Sequence, residues 1–377
     1  MRTSRLRVLP WLCAASLLPA QSKAAPTPPA ASPPAAATAP ARPPFAPREH
    51  GFRFANTFEN DAVPLLDLRT GGLCGGMVYT ALDYWHAGSE VPPQDYRPAN
   101  GTPLQRYIYS RQVESLVKNG PRWIQLFADV RGERREQFFR RGLDRGAQGE
   151  PGILRAALAD GAPVPLGLKS PGRGGHQVLA LGCEVGEREQ DVVVHLYDPN
   201  FPGRTMRMVP DIEQQRFVYE NGPKHVQWAA WFVDVHYSPQ APTVAAAPPW
   251  PADGLVHELL VECVLGRRDL AGSGEDLDAV LQFGDGRKVT FAAINLGARW
   301  LGDYRETARL VLTPPVAARE LQALELRLTA AADDGCDLQK VRVYGLGGEL
   351  RVVLGDAKHS ALSLAAPTVR VPFGLVK

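Results

Sequence analysis

The chain is poor in cysteine, with 5 among 377 residues, and none of them stands in a Cys-x-x-Cys pair. That lack leaves nothing resembling a zinc knuckle or a redox dithiol. An excess of either charge is also missing: 42 lysines and arginines stand against 40 aspartates and glutamates, a formal net charge of +2. Spread along the chain, these charges create no strong field, so nucleic acid and anionic membrane are not expected partners. The N-terminal apolar run, Val8 to Ala20, is shorter than the roughly 20 residues a membrane span needs and is interrupted by Pro10 and Cys13. Self-similarity at a fixed period is absent too, which argues against a solenoid.

What remains is an ordinary globular composition, 45% hydrophobic and 22% charged, in a chain long enough for two buried cores. Three arginines, the short apolar run and small residues around Ala24 and Ala25 have the layout of a secretory signal, so residues 1–25 predict export to the periplasm or beyond. A lipoprotein signal wants a small residue before its cysteine, and Leu12 precedes Cys13. After cleavage Cys74, Cys183, Cys263 and Cys336 remain in an oxidising compartment, where Cys263 and Cys336 could pair; the sequence leaves that connectivity open.

Composition divides the rest. Residues 26–49 are Pro/Ala-rich and predict a disordered linker, and a second such linker covers 238–253. Between them, 50–237 begins helical and ends in strands, the order of an α+β domain. Leu104, Tyr107, Ile108, Leu116 and Val117 recur at helical spacing until Asn119-Gly120-Pro121 stops the run, and 151–160 reads as a second helix. From residue 162 onward short β-branched and aromatic runs take over. Residues 254–377 show no convincing helix; recurring short strands and the Gly284-Asp285-Gly286 turn predict an all-β sandwich.

In "GGLCGGMVYTALDYW" Cys74 opens a helix that is apolar nearly all round, hence buried. Gly75 and Gly76 cost that helix stability relative to alanine. Without Cβ atoms there, a substrate backbone could approach Sγ, while first-turn N–H groups favour a thiolate. Gly75→Val is therefore expected to harm activity more than folding. The alternative is a small buried hydrophobe after a glycine turn.

A base partner decides between these, and His176 in "GRGGHQVLALGCEV" lies 102 residues downstream at the start of a strand. Two apolar strands flank Glu184 to Asp191, predicting a hairpin centred near residue 187 or 188; for the first centre paired residue numbers total 374. His176 and Asp198 satisfy that register, and a slip of two would leave them diagonal but within reach. A carboxylate there holds the tautomer of the imidazole and steadies its positive charge.

"GLCGGM" entering a helix, then "GHQVLALG" and "YDPN", resembles the papain-like cysteine peptidases, nearest the bacteriocin leader-processing branch, over roughly residues 55–237. The resemblance implies an α+β papain-like domain with a buried N-terminal helix and an antiparallel sheet. By it Cys74 would be the nucleophile, His176 the base and then the acid, and Asp198 the orienting group, with Asn200 as alternative third member. The substrate would be a peptide or amide, attacked to give a thioester. The family's oxyanion glutamine has no counterpart between Leu66 and Gly72; Asn60 is a possible donor, beside the Cys74 N–H.

His195 has the opposite strand parity to Asp198 and reads as structural. His225, His236 and Cys183 show no paired-ligand spacing, so no metal and no cofactor are expected. Trp123, Trp228 and Trp231 read as core or cleft-wall residues, and the basic run 131–146 as a solvated helix face. "RRDLAGSGEDLDAVLQFGDGR", "NLGARWLGDYRETARLVL" and "DGCDLQKVRVYG" resemble the PLAT-like β-sandwich, with Cys336 where such sequences tend to have tryptophan. That would imply docking to lipid or protein through residues 254–377, with Asp269, Asp276 and Asp278 as calcium ligands; packing against the first domain is the other reading. The expectations are thus an exported cysteine hydrolase, a non-catalytic binding protein in a papain-like shell, or a transamidase.

Overall fold

The computed structural model describes residues 42–377, apart from 64–67, 130, 173, 245–249, 271–273, 301, 331–334, 349–350 and 375–377, and leaves aside the side chains of 59–71 and 359. The expected export signal, 1–25, and most of the expected linker, 26–49, lie outside the described residues. Where that linker is described, it is packed. Phe45 is buried, Pro43 O accepts a hydrogen bond from Trp85 Nε1 at 3.1 Å, and Pro47–His50 form a short helix, α1. Phe45 is the only aromatic of that segment, and a buried ring outweighs the extended preference of the prolines around it.

After α1 come a hairpin, β1 (Glu59–Val63) and β2 (Leu68–Gly71), and five helices: α2 (Cys74–His86), α3 (Pro103–Lys118), α4 (Gly120–Phe127), α5 (Arg135–Arg141) and α6 (Glu150–Ala157). Seven strands follow: β3 (Val164–Lys169), β4 (Gly175–Val185), β5 (Val192–Tyr197), β6 (Thr205–Asp211), β7 (Arg216–Tyr219), β8 (Gln227–Trp228) and β9 (Ala230–Val233). They form one antiparallel sheet in the order β8-β7-β6-β5-β4-β3-β9. Asn119-Gly120-Pro121 ends α3 as expected, yet Pro121 at once serves the first turn of α4, where a missing N–H is harmless. Α4 buries Trp123 edge-on against Phe232 at 5.0 Å.

Helix α2 is buried from Cys74 to Trp85, as its circumference of apolar residues requires. Leu73, its N-cap, makes no capping hydrogen bond; instead Asn56 Oδ1 accepts Leu73 N–H at 2.7 Å and Gln112 Oε1 accepts Gly76 N–H at 2.9 Å. Side chains distant in sequence thus satisfy donors that a helix start leaves unpaired. The sheet separates two cores. Leu179 and Tyr197 pack with α2, whereas Val178, Ala180 and Leu196 pack on the other face with Phe139 and Leu154.

The remaining strands are β10 (Val256–Leu265), β11 (Glu275–Phe283), β12 (Lys288–Phe291), β13 (Arg305–Val316), β14 (Leu321–Ala330), β15 (Cys336–Leu346), β16 (Arg351–Leu362) and β17 (Thr368–Pro372). Two four-stranded antiparallel sheets, β13-β10-β15-β16 and β12-β11-β14-β17, enclose one apolar core. The β11–β12 turn places Gly286 at φ +87°, a conformation glycine adopts without strain. The architecture is mostly β, an α+β arrangement followed by these paired sheets. Residues Pro43–Lys377 gather into one compact unit. Linker 238–253 contributes: Gln240 N–H donates to Asp83 Oδ1 at 3.0 Å and Val244 O accepts Tyr84 O–H at 2.5 Å.

Candidate functional site

Cys74 is the first residue of α2, His176 the second of β4, and Asp198 follows β5 directly. The hairpin between β4 and β5 takes the second of the two expected centres, near residue 188, in its first pairs. Leu179 faces Tyr197 and Ala180 faces Leu196, a total of 376 rather than 374, and a bulge beyond Ala180 shifts it further. His176 and Asp198 are therefore diagonal, and diagonal neighbours on one face remain within side-chain reach. His176 Nε2 lies 2.8 Å from Asp198 Oδ1, with the histidine 5% and the aspartate 0% exposed.

The same carboxylate is held from two other sides. Tyr219 donates its O–H to Asp198 Oδ2 at 2.7 Å, and Asn200 N–H donates to Oδ1 at 2.8 Å. Asn200 Nδ2 stands 3.4 Å from His176 Nε2. When Nε2–H donates to Asp198 it cannot also accept from that amide, so Asn200 braces the aspartate rather than replacing it. Trp228 stacks on the imidazole at 5.4 Å and 13°. Sulfur meets the strand from the helix side: Gln177 N–H donates to Cys74 Sγ at 3.3 Å.

Burial alone would lower the pKa of His176. The Asp198 carboxylate, then the charge on Cys74, and hydrogen bonds to both outweigh it and push the imidazole up to about 10. Burial, reinforced by Asp198, likewise holds the Tyr219 phenol well above its ordinary range, so it stays a donor. A neutral donor, an anion, a cation and a sulfur acceptor thus follow one another through a largely buried site.

No protein-family model matches this chain, and no curated protein matches it. Among solved structures, Clostridium perfringens alpha-toxin from avian strain SWCP aligns at a TM-score of 0.26 and 14% identity, over 35% of this chain and 35% of that one.

An open cleft of about 480 Å³ adjoins the site, with Asn56, Gly72, His176, Asn200, Trp228 and Arg305 among its walls. Cys74, 7% exposed, is not among the lining residues. The glycines that line the cleft are Gly72, at φ +84°, Gly174 and Gly175. Gly75 and Gly76 face inward instead: a Cβ on Gly75 would stand 1.8 Å from Gln177 Oε1, and one on Gly76 2.0 Å from Ile108 O. These two glycines let α2 close on β4 and α3, which corrects the expectation that they open a path for substrate.

Asn60 pairs with Thr70 in the β1–β2 hairpin, and its side chain lies outside the described residues. Of the two described side-chain amides at the cleft, Asn200 is tied to the His176–Asp198 pair, and the other is Asn56. Its Oδ1 is fixed by Leu73 N–H and its Nδ2 lies against Gly72. Nothing in the sequence marked Asn56, Tyr219 or Arg305, since each reaches the site through a loop or strand end unrelated in sequence. Trp228 had been read as core or cleft wall and is both. His195 pairs with Glu184 at 2.6 Å. Asp269 bonds Arg299 at 2.7 Å, and Asp278 accepts Ala293 N–H at 2.8 Å and Thr329 O–H at 3.2 Å. Among the described residues no group of three His, Cys, Asp or Glu is placed to hold a metal, so the calcium set implied by resemblance does not assemble. Cys74, Cys183, Cys263 and Cys336 are all free thiols, and Cys263 and Cys336 do not pair.

Proposed function

We propose that this chain is an exported papain-like cysteine hydrolase, a peptidase or amidase, with a PLAT-like β-sandwich as its second part. One observation carries the reading: a buried His176–Asp198 pair at the start of β4, directly beside a thiol at the N-terminus of α2. Export rests on the pattern of residues 1–25.

In this reading the Cys74 thiolate attacks the carbonyl carbon of a peptide or amide, and the carbonyl π pair moves to oxygen. The first-turn N–H of Cys74 and Asn56 Nδ2 stabilise that oxyanion, Asn56 taking the role expected of Asn60. As the C–N bond breaks, the His176 imidazolium gives its proton to the departing amine, leaving a thioester. Neutral His176 then takes a proton from water, whose oxygen attacks the thioester carbon; as the C–S bond breaks the acid leaves, and the Cys74 thiolate and His176 imidazolium are restored. Asp198, held by Tyr219 and Asn200, stabilises the imidazolium throughout.

The test is mass-spectrometric mapping of an epoxide inhibitor on the wild type and on His176→Ala. Rapid modification of Cys74 that collapses in the variant supports the reading; slow modification in both rejects it. A second reading, a binding protein with an inert thiol, draws support from the 7% exposure of Cys74 and its absence from the cleft walls. It expects Cys74→Ala to leave the biological effect intact and deletion of 254–377 to abolish it.

A further inference from the structure

Alternate residues of a strand face opposite sides of its sheet. On β4, Val178 and Ala180 pack away from α2, whereas Gln177 and Leu179 face it. Leu179 fills its place in the α2 core with apolar atoms, but Gln177, 1% exposed, puts a carboxamide there. Ser115 Oγ donates to its Oε1 at 2.9 Å, and among the described residues Nε2 has no hydrogen-bond partner. An unpaired buried amide N–H costs stability, and an apolar side chain would avoid that cost. Such an orphan marks a position where something besides stability sets the residue.

Gln177 holds the head of α2 twice. Its backbone N–H donates to Cys74 Sγ at 3.3 Å. Its carboxamide lies against the next residue of the helix: a Cβ on Gly75 would overlap Oε1 and stand 2.6 Å from Cδ and 2.5 Å from Ser115 Oγ. Only a residue without a Cβ fits beneath this wedge, which is itself tied to α3 through Ser115. The wedge therefore sets how closely α2 approaches β4. His176 precedes Gln177 on the same strand, so that spacing is also the spacing between thiol and imidazole.

We propose that Gln177 is a positioning residue whose carboxamide, wedged between Gly75 and Ser115, keeps its own N–H on the Cys74 sulfur and that sulfur within reach of the His176 imidazole. This rests on the cysteine-hydrolase reading. The side chain acts through the backbone and the helix it supports, not on the reacting atoms.

The test follows modification of Cys74 in the full chain by an uncharged epoxide and by iodoacetamide, using peptide mapping, in parallel with urea unfolding. Epoxide opening draws on a proton from His176 and iodoacetamide does not, so the ratio of the two rates reports the Cys74–His176 geometry. A merely structural role would leave that ratio alone. Gln177→Leu, one atom shorter and unable to bond Ser115, should lower the ratio about 10- to 100-fold, as a displacement of up to about 1 Å does. Its urea midpoint should stay at or above that of the wild type, since the orphan N–H is gone and Ser115 keeps Gln112 O as an acceptor at 2.9 Å. Ser115→Ala removes the bond with the wedge left in place, and should lower the ratio in the same direction by a smaller factor. A ratio unchanged in both variants, with modification still dependent on His176, overturns this proposal alone. So does a ratio that falls only together with the urea midpoint, which reduces Gln177 to packing. Modification of wild-type Cys74 that does not depend on His176 overturns the hydrolase reading and this proposal with it.

Discussion

His176 Nε2 and Asp198 Oδ1 lie 2.8 Å apart with their side chains 6% and 0% exposed. Neither charge can be hydrated at that depth, so each depends on the other, and Asp198 depends further on Tyr219 O–H and Asn200 N–H. The pair sets the orientation of the imidazole whatever reaction the site performs.

Removing the carboxylate should therefore cost both stability and reactivity. Asp198→Ala should destabilise by about 3–5 kcal/mol in urea unfolding, because it strands a buried partner. Asp198→Asn keeps the shape but reverses the hydrogen-bond sense. It should slow His176-dependent epoxide modification of Cys74 by about 100-fold or more while folding is largely retained. Equal rates in Asp198→Asn and wild type would refute a shared role.

The pH dependence follows from the raised pKa of His176. A group whose pKa rises from 6.5 in the unfolded chain to about 10 in the folded one stabilises fully below 6.5, and that contribution is lost as pH climbs through about 10. The urea midpoint of the wild type should fall across that window more than that of His176→Gln. Epoxide opening needs a proton for its alkoxide, so modification of Cys74 by an epoxide should decline near pH 10. Iodoacetamide, which needs none, should show no such decline.

Gly76→Ala should destabilise the protein. Alanine normally gains about 1 kcal/mol over glycine within a helix. Here its Cβ would sit 2.0 Å from Ile108 O and 2.9 Å from Ile108 C, a backbone contact that only displacement of α3 can relieve. Overpacking of that kind costs about 1–3 kcal/mol and reverses the sign. A rise in thermal midpoint would show that α2 and α3 can part without loss.

Thiol reagents should distinguish the cysteines. Burial pushes Cys183 up to about 11, Cys336 up to about 12 and Cys263 well above the usual thiol range. At neutral pH these three should stay thiols and react slowly in the folded protein. Peptide mapping after brief iodoacetamide treatment should find Cys74 modified first, and reaction of the others only after denaturation.

Much of this site was legible from local pattern. A cysteine at the head of an all-apolar segment, a histidine opening a strand and an aspartate closing the next are each tied to one element, and element ends follow from periodicity and turn residues. The register was open between centres at 187 and 188 because the turn at Glu187–Gln190 and the bulge beyond Ala180 depend on backbone geometry that alternation does not encode. Even so, a shift of two preserves side-chain parity, and His176 still met Asp198.

The glycines show the opposite case. Gly75 and Gly76 looked like an opening for substrate because sequence cannot tell which helix face meets a neighbour. Their missing side chains make room for Gln177, Ser115 and the backbone of Ile108, all more than thirty residues away.

By itself, then, the sequence determined where helices and strands begin, which segments are apolar enough to be buried, and which residues could form a nucleophile, a base and an orienting acid. Those properties depend on neighbours along the chain. Only the tertiary structure decided that Tyr219 and Asn200 hold Asp198, that Trp228 covers His176, that Asn56 stands at the cleft, and that Arg305 from the second half reaches its wall. Such contacts join loops and strand ends separated by up to some two hundred residues, and packing of the assembled cores, which no local pattern records, brings them together.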